Sequence, residues 1–416
     1  VSKTIFILVI LLPLLAGAVS LWAQEKSHIE VIELAEQIYK LSYDGGGFTV
    51  KVIASIGDDG ILLVDTGQPD RAEDIKAVLA TLRNEAPRII ISTHVHEEHV
   101  GANHMWGKEP VIIGHRTLKS AMCSGIYLFN EFPEEALPDI MITDTITVHF
   151  NGEDIIIFPV PAAHTDHDLV VWFTGSKIAC VGAICNGHDF PSVDRSTGNV
   201  MNYATVARSV LDFLPEDALI VPGHGADCSM AEFRSFCDML AETAETVRRH
   251  VAEGMDVEAM KAANILANWS SYGGSYTTVD AWNETLARGI SGEQVKQRAW
   301  EPMYYAIRER GAAAAVEYYF ELKSSRADAF DFIDTDLAFI AYKLYMTGRK
   351  SESIPFFKRY LVEHPDGQYN DFSYEYVGRA YESLGDREAA LKNFRRAVEL
   401  NPDNKEAAAK IVELGG

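Results

Sequence analysis

Apolar residues fall into two regimes along this chain. Up to about residue 225 they come in short, largely β-branched runs: Val50–Ile56, Ile61–Val64, Ile89–Ile91, Val111–Ile113, Ile155–Val160, Leu169–Phe173, Ile178–Val181 and Ala218–Val221. Runs apolar at successive rather than alternate positions predict strands covered on both faces. Gly57-Asp58-Asp59-Gly60 between the first two predicts a hairpin turn. Between Arg71 and Arg83 the period changes, with Ile75, Val78, Leu79 and Leu82 on one helical face. Strand, helix, strand is the order of an α/β fold.

Beyond residue 230 helical spacing takes over. Phe233–His250 is a long amphipathic pattern, Trp269–Gly274 reads as a loop, Thr278–Ile290 as a helix, and Ala312–Ala315 favours helix again. From 334 to 416 a pattern recurs. Ala341, Leu344, Gly348, Phe357, Tyr360 and Pro365 are echoed by Gly378, Ala380, Tyr381, Gly385, Ala390, Phe394, Ala397 and Pro402, followed by a last helix over Lys405–Leu414. The two prolines lie 37 residues apart, with an insertion expected at Asp366–Phe372. Small and aromatic residues at this spacing are similar to tetratricopeptide repeats, which stack helix pairs and commonly bind peptides or join subunits.

The first 23 residues stand apart. Lys3, the apolar stretch Ile5–Leu15 and the small residues Ala16-Gly17-Ala18 and Ala23 form the pattern of a secretory signal peptide. An uncleaved anchor is the alternative, since the apolar run to Trp22 approaches spanning length. Export implies a secreted or periplasmic protein, with a membrane as partner only if the segment is retained. The 416 residues carry a formal net charge of −23. Such an acidic balance excludes nucleic acid and anionic lipid as expected partners, because both require positive charge. The five cysteines, Cys123, Cys180, Cys185, Cys228 and Cys237, match no zinc module, and their odd number leaves at least one without a partner in the same chain.

The chemistry concentrates at the ends of the apolar runs. Ile89–Ile91 leads into Thr93-His94-Val95-His96-Glu97-Glu98-His99, with three imidazoles and two carboxylates in six residues. His94 and His96, two apart on extended backbone, face the same side, while Glu98 and His99 follow where the chain turns. His164 follows Ile155–Val160, and His224 follows Ala218–Val221. Histidines at three strand ends are how a sheet edge gathers metal ligands. Asp65 ends another strand in Leu63-Val64-Asp65-Thr66-Gly67, and His167 and Asp168 follow His164. His115 and His149 are isolated and read as structural. His188 and Asp189 lie in a polar loop, Asn186–Asp194, that can approach the site. Ile126–Pro138 reads either as a loop over the site or, through Phe129 and Phe132, as core packing.

Residues 28–245 resemble the metallo-β-lactamase superfamily, whose pattern is His-X-His-X-Asp-His, a later lone histidine, a bridging Asp or Cys, and a final histidine before glycine. The resemblance implies a four-layer αβ/βα sandwich, followed over 246–330 by an all-α helical extension and over 334–416 by the repeat. It implies a first zinc held by His94, His96 and His164, and a second by Glu98, His99 and His224. Asp65 and Asp168 would orient ligands from behind. A zinc-activated water would then attack an ester, thioester, lactone or lactam-type bond of a small-molecule substrate. Two departures bear on this. Glu98 stands where Asp is usual, so it reads either as a metal ligand or as a general base. Gly182-Ala183 stands where Gly-Asp is expected, which weakens the second metal and points to a mononuclear centre. The Cys185 thiol is a candidate replacement. The other class of function is a non-catalytic metal-binding scaffold or partner-binding module that acts through the repeat, with a protein or peptide as partner.

Overall fold

The computed structural model describes residues 29–124, 132–274, 276–292 and 297–415. The expected signal peptide and Phe129 lie outside the described residues.

Two sheets form the centre. The first holds β1 (Glu30–Ala35), β2 (Ile38–Asp44), β3 (Thr49–Gly57), β4 (Gly60–Val64), β5 (Ile89–Ile91), β6 (Val111–His115) and β7 (Ile140–Ile142), in that spatial order. Its connections carry α1 (Ala72–Leu82), α2 (Glu97–Val100) and α3 (Leu118–Cys123). The predicted hairpin joins β3 to β4, with Gly57 opposite Gly60 and φ +112° at Gly60, a conformation glycine adopts without steric cost. β4, β5, β6 and β7 run parallel. The second sheet holds β8 (Ile146–Phe150), β9 (Glu153–Pro159), β10 (Leu169–Phe173), β11 (Ile178–Cys180), β12 (Leu219–Val221) and β13 (Cys228–Ser229), with α4 (Val200–Phe213) between β11 and β12.

The continuous apolar runs are explained by the layers. Ile53, Leu62, Val64 and Ile91 of the first sheet meet Ile155, Ile157, Leu169 and Val171 of the second in one core. The other face of the first sheet packs Leu63 and Ile90 on Ile75 and Leu79 of α1. The other face of the second packs Val170, Trp172 and Ile220 on α4, α5 (Met230–Ala252) and the later helix that carries Trp282 and Leu286. This is the four-layer α/β/β/α arrangement. Phe132 is buried with Val95, Val100 and Leu118, so at that position the 126–138 segment packs on the core.

The expected boundary at residue 245 falls inside α5, whose start is fixed by a capping box between Ser229 and Glu232. The same core continues through α6 (Val257–Ala262) and α7 (Val279–Ser291) as far as Ala287, with Trp282 buried and its indole N–H donating to Thr243. The C-terminal region is helical, as expected, with one local addition. A short parallel ladder joins β14 (Gln297–Arg298) to β15 (Phe330–Asp331) on either side of α8 (Glu301–Arg310) and α9 (Ala312–Ser325). The remaining helices are α10 (Asp336–Met346), α11 (Lys350–Glu363), α12 (Asn370–Ser383), α13 (Arg387–Leu400) and α14 (Lys405–Glu413). Gly378 is required where α12 packs on α13, since a Cβ there would lie 2.8 Å from the Phe394 ring. α8 and α9 share one core with α10–α12. Among the described residues no helix is long and apolar enough to cross a membrane.

Candidate metal centre

β5 delivers His94 and His96 to the sheet edge, and the chain then turns into α2, which carries Glu98 and His99. The loop from β9 to β10 delivers His164, and the loop from β12 to β13 delivers His224. These six residues form two groups, His94 with His96 and His164, and Glu98 with His99 and His224; within each group the ligand atoms lie within 4.8 Å of one another. The rings of His94, His96 and His164 stand 4.8 to 4.9 Å apart and nearly perpendicular. The two groups touch, with His94 and His99 centroids 4.1 Å apart.

The hydrogen bonds behind the imidazoles assign their protons. Thr93 donates its hydroxyl proton to Asp65 (2.8 Å), so at 3.0 Å it accepts from His94 Nδ1–H. His164 Nδ1–H donates to the Ser192 carbonyl (3.0 Å), and His224 Nδ1–H to the Thr49 carbonyl (2.8 Å). His99 Nδ1–H donates to Asp65 (2.7 Å), and His96 Nε2–H to Asp194 (3.2 Å). In the neutral imidazoles every other nitrogen then carries a lone pair pointing inward. His96 Nδ1 faces His164 Nε2 at 3.1 Å, and His99 Nε2 faces His224 Nε2 at 3.1 Å. His94 Nε2 is buried without a hydrogen-bond partner. Lone pairs facing at hydrogen-bond distance repel unless a cation lies between them, so the donor set fits a metal ion in each group.

The backing residues are themselves fixed. Asp65 sits at φ +62° and accepts from the Thr93 N–H (2.8 Å), the Thr93 hydroxyl and His99. Asp168 accepts from the Thr165 N–H (2.9 Å) and hydroxyl (2.5 Å), closing the turn that carries His164; burial pushes its pKa up to about 7. Asp227, three residues after His224, is clasped by the buried Lys40 and Lys51 of β2 and β3, which anchors the His224 loop.

Charge is distributed unevenly. Burial pushes His94 well down, and burial together with His96 pushes His164 down to about 3. Burial also opposes charge on His96, but the hydrogen bond to Asp194 and the nearby carboxylates outweigh it, so His96 is raised. Burial alone would raise Glu98, yet His224, His96 and His99 hold its carboxyl well below the usual range. Glu98 Oε1 lies 3.6 Å from His224 Nε2.

The remaining candidates divide. Asp189 lines the cavity over the groups, whereas His188 turns out toward Glu232 (3.8 Å). His167 is buried and joins neither group, and burial pushes it down to about 3. Cys185 does not replace the bridging ligand, because its thiol is buried against Cys228 and the Gly187 carbonyl. Glu97, inside the histidine motif, turns away and pairs with Lys343 of α10. Asp194 was missed by sequence reasoning. Its Asp-Arg-Ser-Thr context signals a turn, in which it accepts from the Ser196 and Thr197 N–H groups (3.0 and 2.8 Å), but nothing in sequence places it beside a histidine 98 residues away.

Two family profiles match the chain. The sequence profile of the Metallo-beta-lactamase superfamily matches residues 46–224, and that of the Tetratricopeptide repeat matches residues 372–404. The chain therefore carries a metallo-β-lactamase superfamily domain followed by a C-terminal tetratricopeptide repeat. Comparison with curated proteins gives no match. Among solved structures, a metallo-beta-lactamase from Pontibacter korlensis is 16% identical, with a TM-score of 0.45, over 51% of this chain and 99% of its own. The DIM-1 metallo-beta-lactamase is 19% identical, with a TM-score of 0.45, over 52% of this chain and 98% of its own.

Proposed function

We propose that this protein is a zinc-dependent hydrolase of ester, thioester, lactone or lactam-type bonds. The observation that carries this reading is the set of inward lone pairs, two of them opposed at 3.1 Å in each group. Five imidazoles and one carboxylate, with no thiolate, form a donor set suited to zinc. Bound there, zinc would supply Lewis acidity, polarising the substrate carbonyl and acidifying a water. The chain's part is to hold that chemistry in place. Asp194, Asp65, the Thr93 hydroxyl and the Ser192 and Thr49 carbonyls keep the five imidazoles in the tautomers that offer their lone pairs. Glu98 places its carboxylate within 4.8 Å of the His99 and His224 ligand atoms, and those neighbours hold its carboxyl low, so we assign it as a ligand of the second group rather than a general base.

The test is metal content and hydrolysis in the same preparations. The full chain, purified without chelator, is expected to bind zinc and to hydrolyse at least one of these four bond classes, and His96→Ala is expected to abolish hydrolysis. Hydrolysis undiminished in His96→Ala would overturn the assignment. Zinc bound without hydrolysis of any of the four would favour a metal-binding scaffold acting through its repeat.

A further inference from the structure

The cavity over the metal groups does not end there. One lobe, about 210 Å³, lies over His96, Glu98, His164 and His224 beneath Phe48 and Tyr276. A second lobe, about 550 Å³, shares His96, His164, Ser192 and Tyr276 with the first and runs away from the sheets. Its far wall comes from the C-terminal half of the chain: Trp300, Ile333, Thr335, Asp336 and Phe339.

This wall sets three large apolar side chains, Trp300, Ile333 and Phe339, beside the polar Thr335 and Asp336, and leaves Ile333 and Phe339 open. Ile333 is 42% exposed and Phe339 38%, and Tyr276, where the two lobes meet, is 66% exposed. Large apolar side chains converging on a cavity that ends at polar, metal-type donors are the composition of a ligand site. The wall is also held in place. Trp300 and Ile333 each lie two residues beyond the ladder pair Arg298 and Asp331. Asp336 accepts from the Ile333 N–H (2.9 Å) and the Tyr319 hydroxyl (3.0 Å), fixing the turn that presents Ile333. Trp300 and Phe339 pack with ring centroids 5.6 Å apart. Two ion pairs tie the wall to the metal-bearing half, Arg195 with Asp331 and Lys343 with Glu97. The charged side chains facing this lobe include Asp194 and Asp336, and Arg195 is already paired, so a negatively charged group is disfavoured.

We propose that the helical half completes the active site, holding an uncharged alkyl or aryl group of the substrate against Trp300, Ile333 and Phe339 while the scissile carbonyl lies at His96 and His164. The substrate class is therefore an apolar acyl or aryl-acyl compound. This rests on the hydrolase reading above, and the test separates the two.

Octanohydroxamate and acetohydroxamate share a metal-binding head and differ only in the tail. Their affinities are measured by calorimetry on the full chain, zinc-loaded and zinc-stripped. The wild type is expected to bind the octanoyl compound more tightly by roughly 30-fold in both states, the gain from part-burying its extra methylenes. Ile333→Ser and Phe339→Ala, both at exposed positions, are expected to reduce that preference to within about threefold, and Ile333→Leu to retain it. Equal affinities in the wild type, or a preference undiminished in both variants, would overturn the proposal. A tail preference that is lost in the variants, but with no contribution of zinc to either ligand, would support this inference while striking the hydrolase reading.

Discussion

The two ligand groups are neighbours built to different designs. His94, His96 and His164 offer three imidazoles, each neutral when it acts as a ligand. Glu98, His99 and His224 bring two imidazoles and a carboxylate held in its anionic form. The first leaves a bound dication its full charge and suits a Lewis acid; the second neutralises part of that charge and suits a supporting ion. In the first, burial has already pushed two imidazoles far from protonation and only His96 is raised. Among the described residues no carboxylate bridges the groups, since position 183 is Ala. On the hydrolase proposal, the difference assigns the Lewis-acid role to the first group, and each prediction breaks or sharpens that asymmetry.

The largest effect is expected from His94→Ala and His96→Ala, each lowering kcat/KM on the order of 10³-fold or more by removing a Lewis-acid ligand. Steady-state kinetics with metal analysis checks this. Asp194→Asn comes next. An amide N–H in place of the carboxylate oxygen forces the His96 proton onto Nδ1, the atom that faces the metal. Zinc affinity is expected to fall about 10- to 100-fold, read by chelator competition. His224→Ala is expected to remove the second equivalent of zinc and lower kcat/KM about tenfold or less. A loss matching that of His96→Ala would erase the asymmetry.

The pH response sharpens it further. Below its raised pKa, His96 is protonated on both nitrogens and cannot bind metal. Affinity at the first group should be full above that pKa and fall about tenfold per pH unit below it, with onset above the ordinary histidine value of 6.5. In Asp194→Asn the onset should move to lower pH. The smallest effect is expected for Lys343→Met, which removes one partly exposed ion pair with Glu97; thermal unfolding should shift by the equivalent of about 1 kcal/mol or less.

Most of the layered half was legible because both faces of its strands are covered, which turns a strand into a continuous apolar run. Val50–Ile56 and Ile61–Val64 were found this way and appear as β3 and β4. β1, with its mostly exposed side chains, left no such run and was not foreseen. The six ligand-type residues were legible because each follows a strand, and a sheet brings strand ends to one edge. Glu97 shows the limit. It lies within the motif yet pairs with a lysine 246 residues away, a choice made by the packing of α10.

By itself, the sequence determined the local periods, the turn at Gly57–Gly60, the histidines at strand ends and the repeated small residues of the C-terminal helices. Those features depend on neighbours a few residues apart, which any stretch of chain carries with it. Only the tertiary structure decided that Asp194 backs His96, that Lys40 and Lys51 clasp Asp227, that α5 carries one core across residue 245, and that Trp300, Ile333 and Phe339 wall the cleft. Each is a meeting of side chains distant in sequence. Their encounter is set by how sheets and helices stack, and no local pattern encodes it.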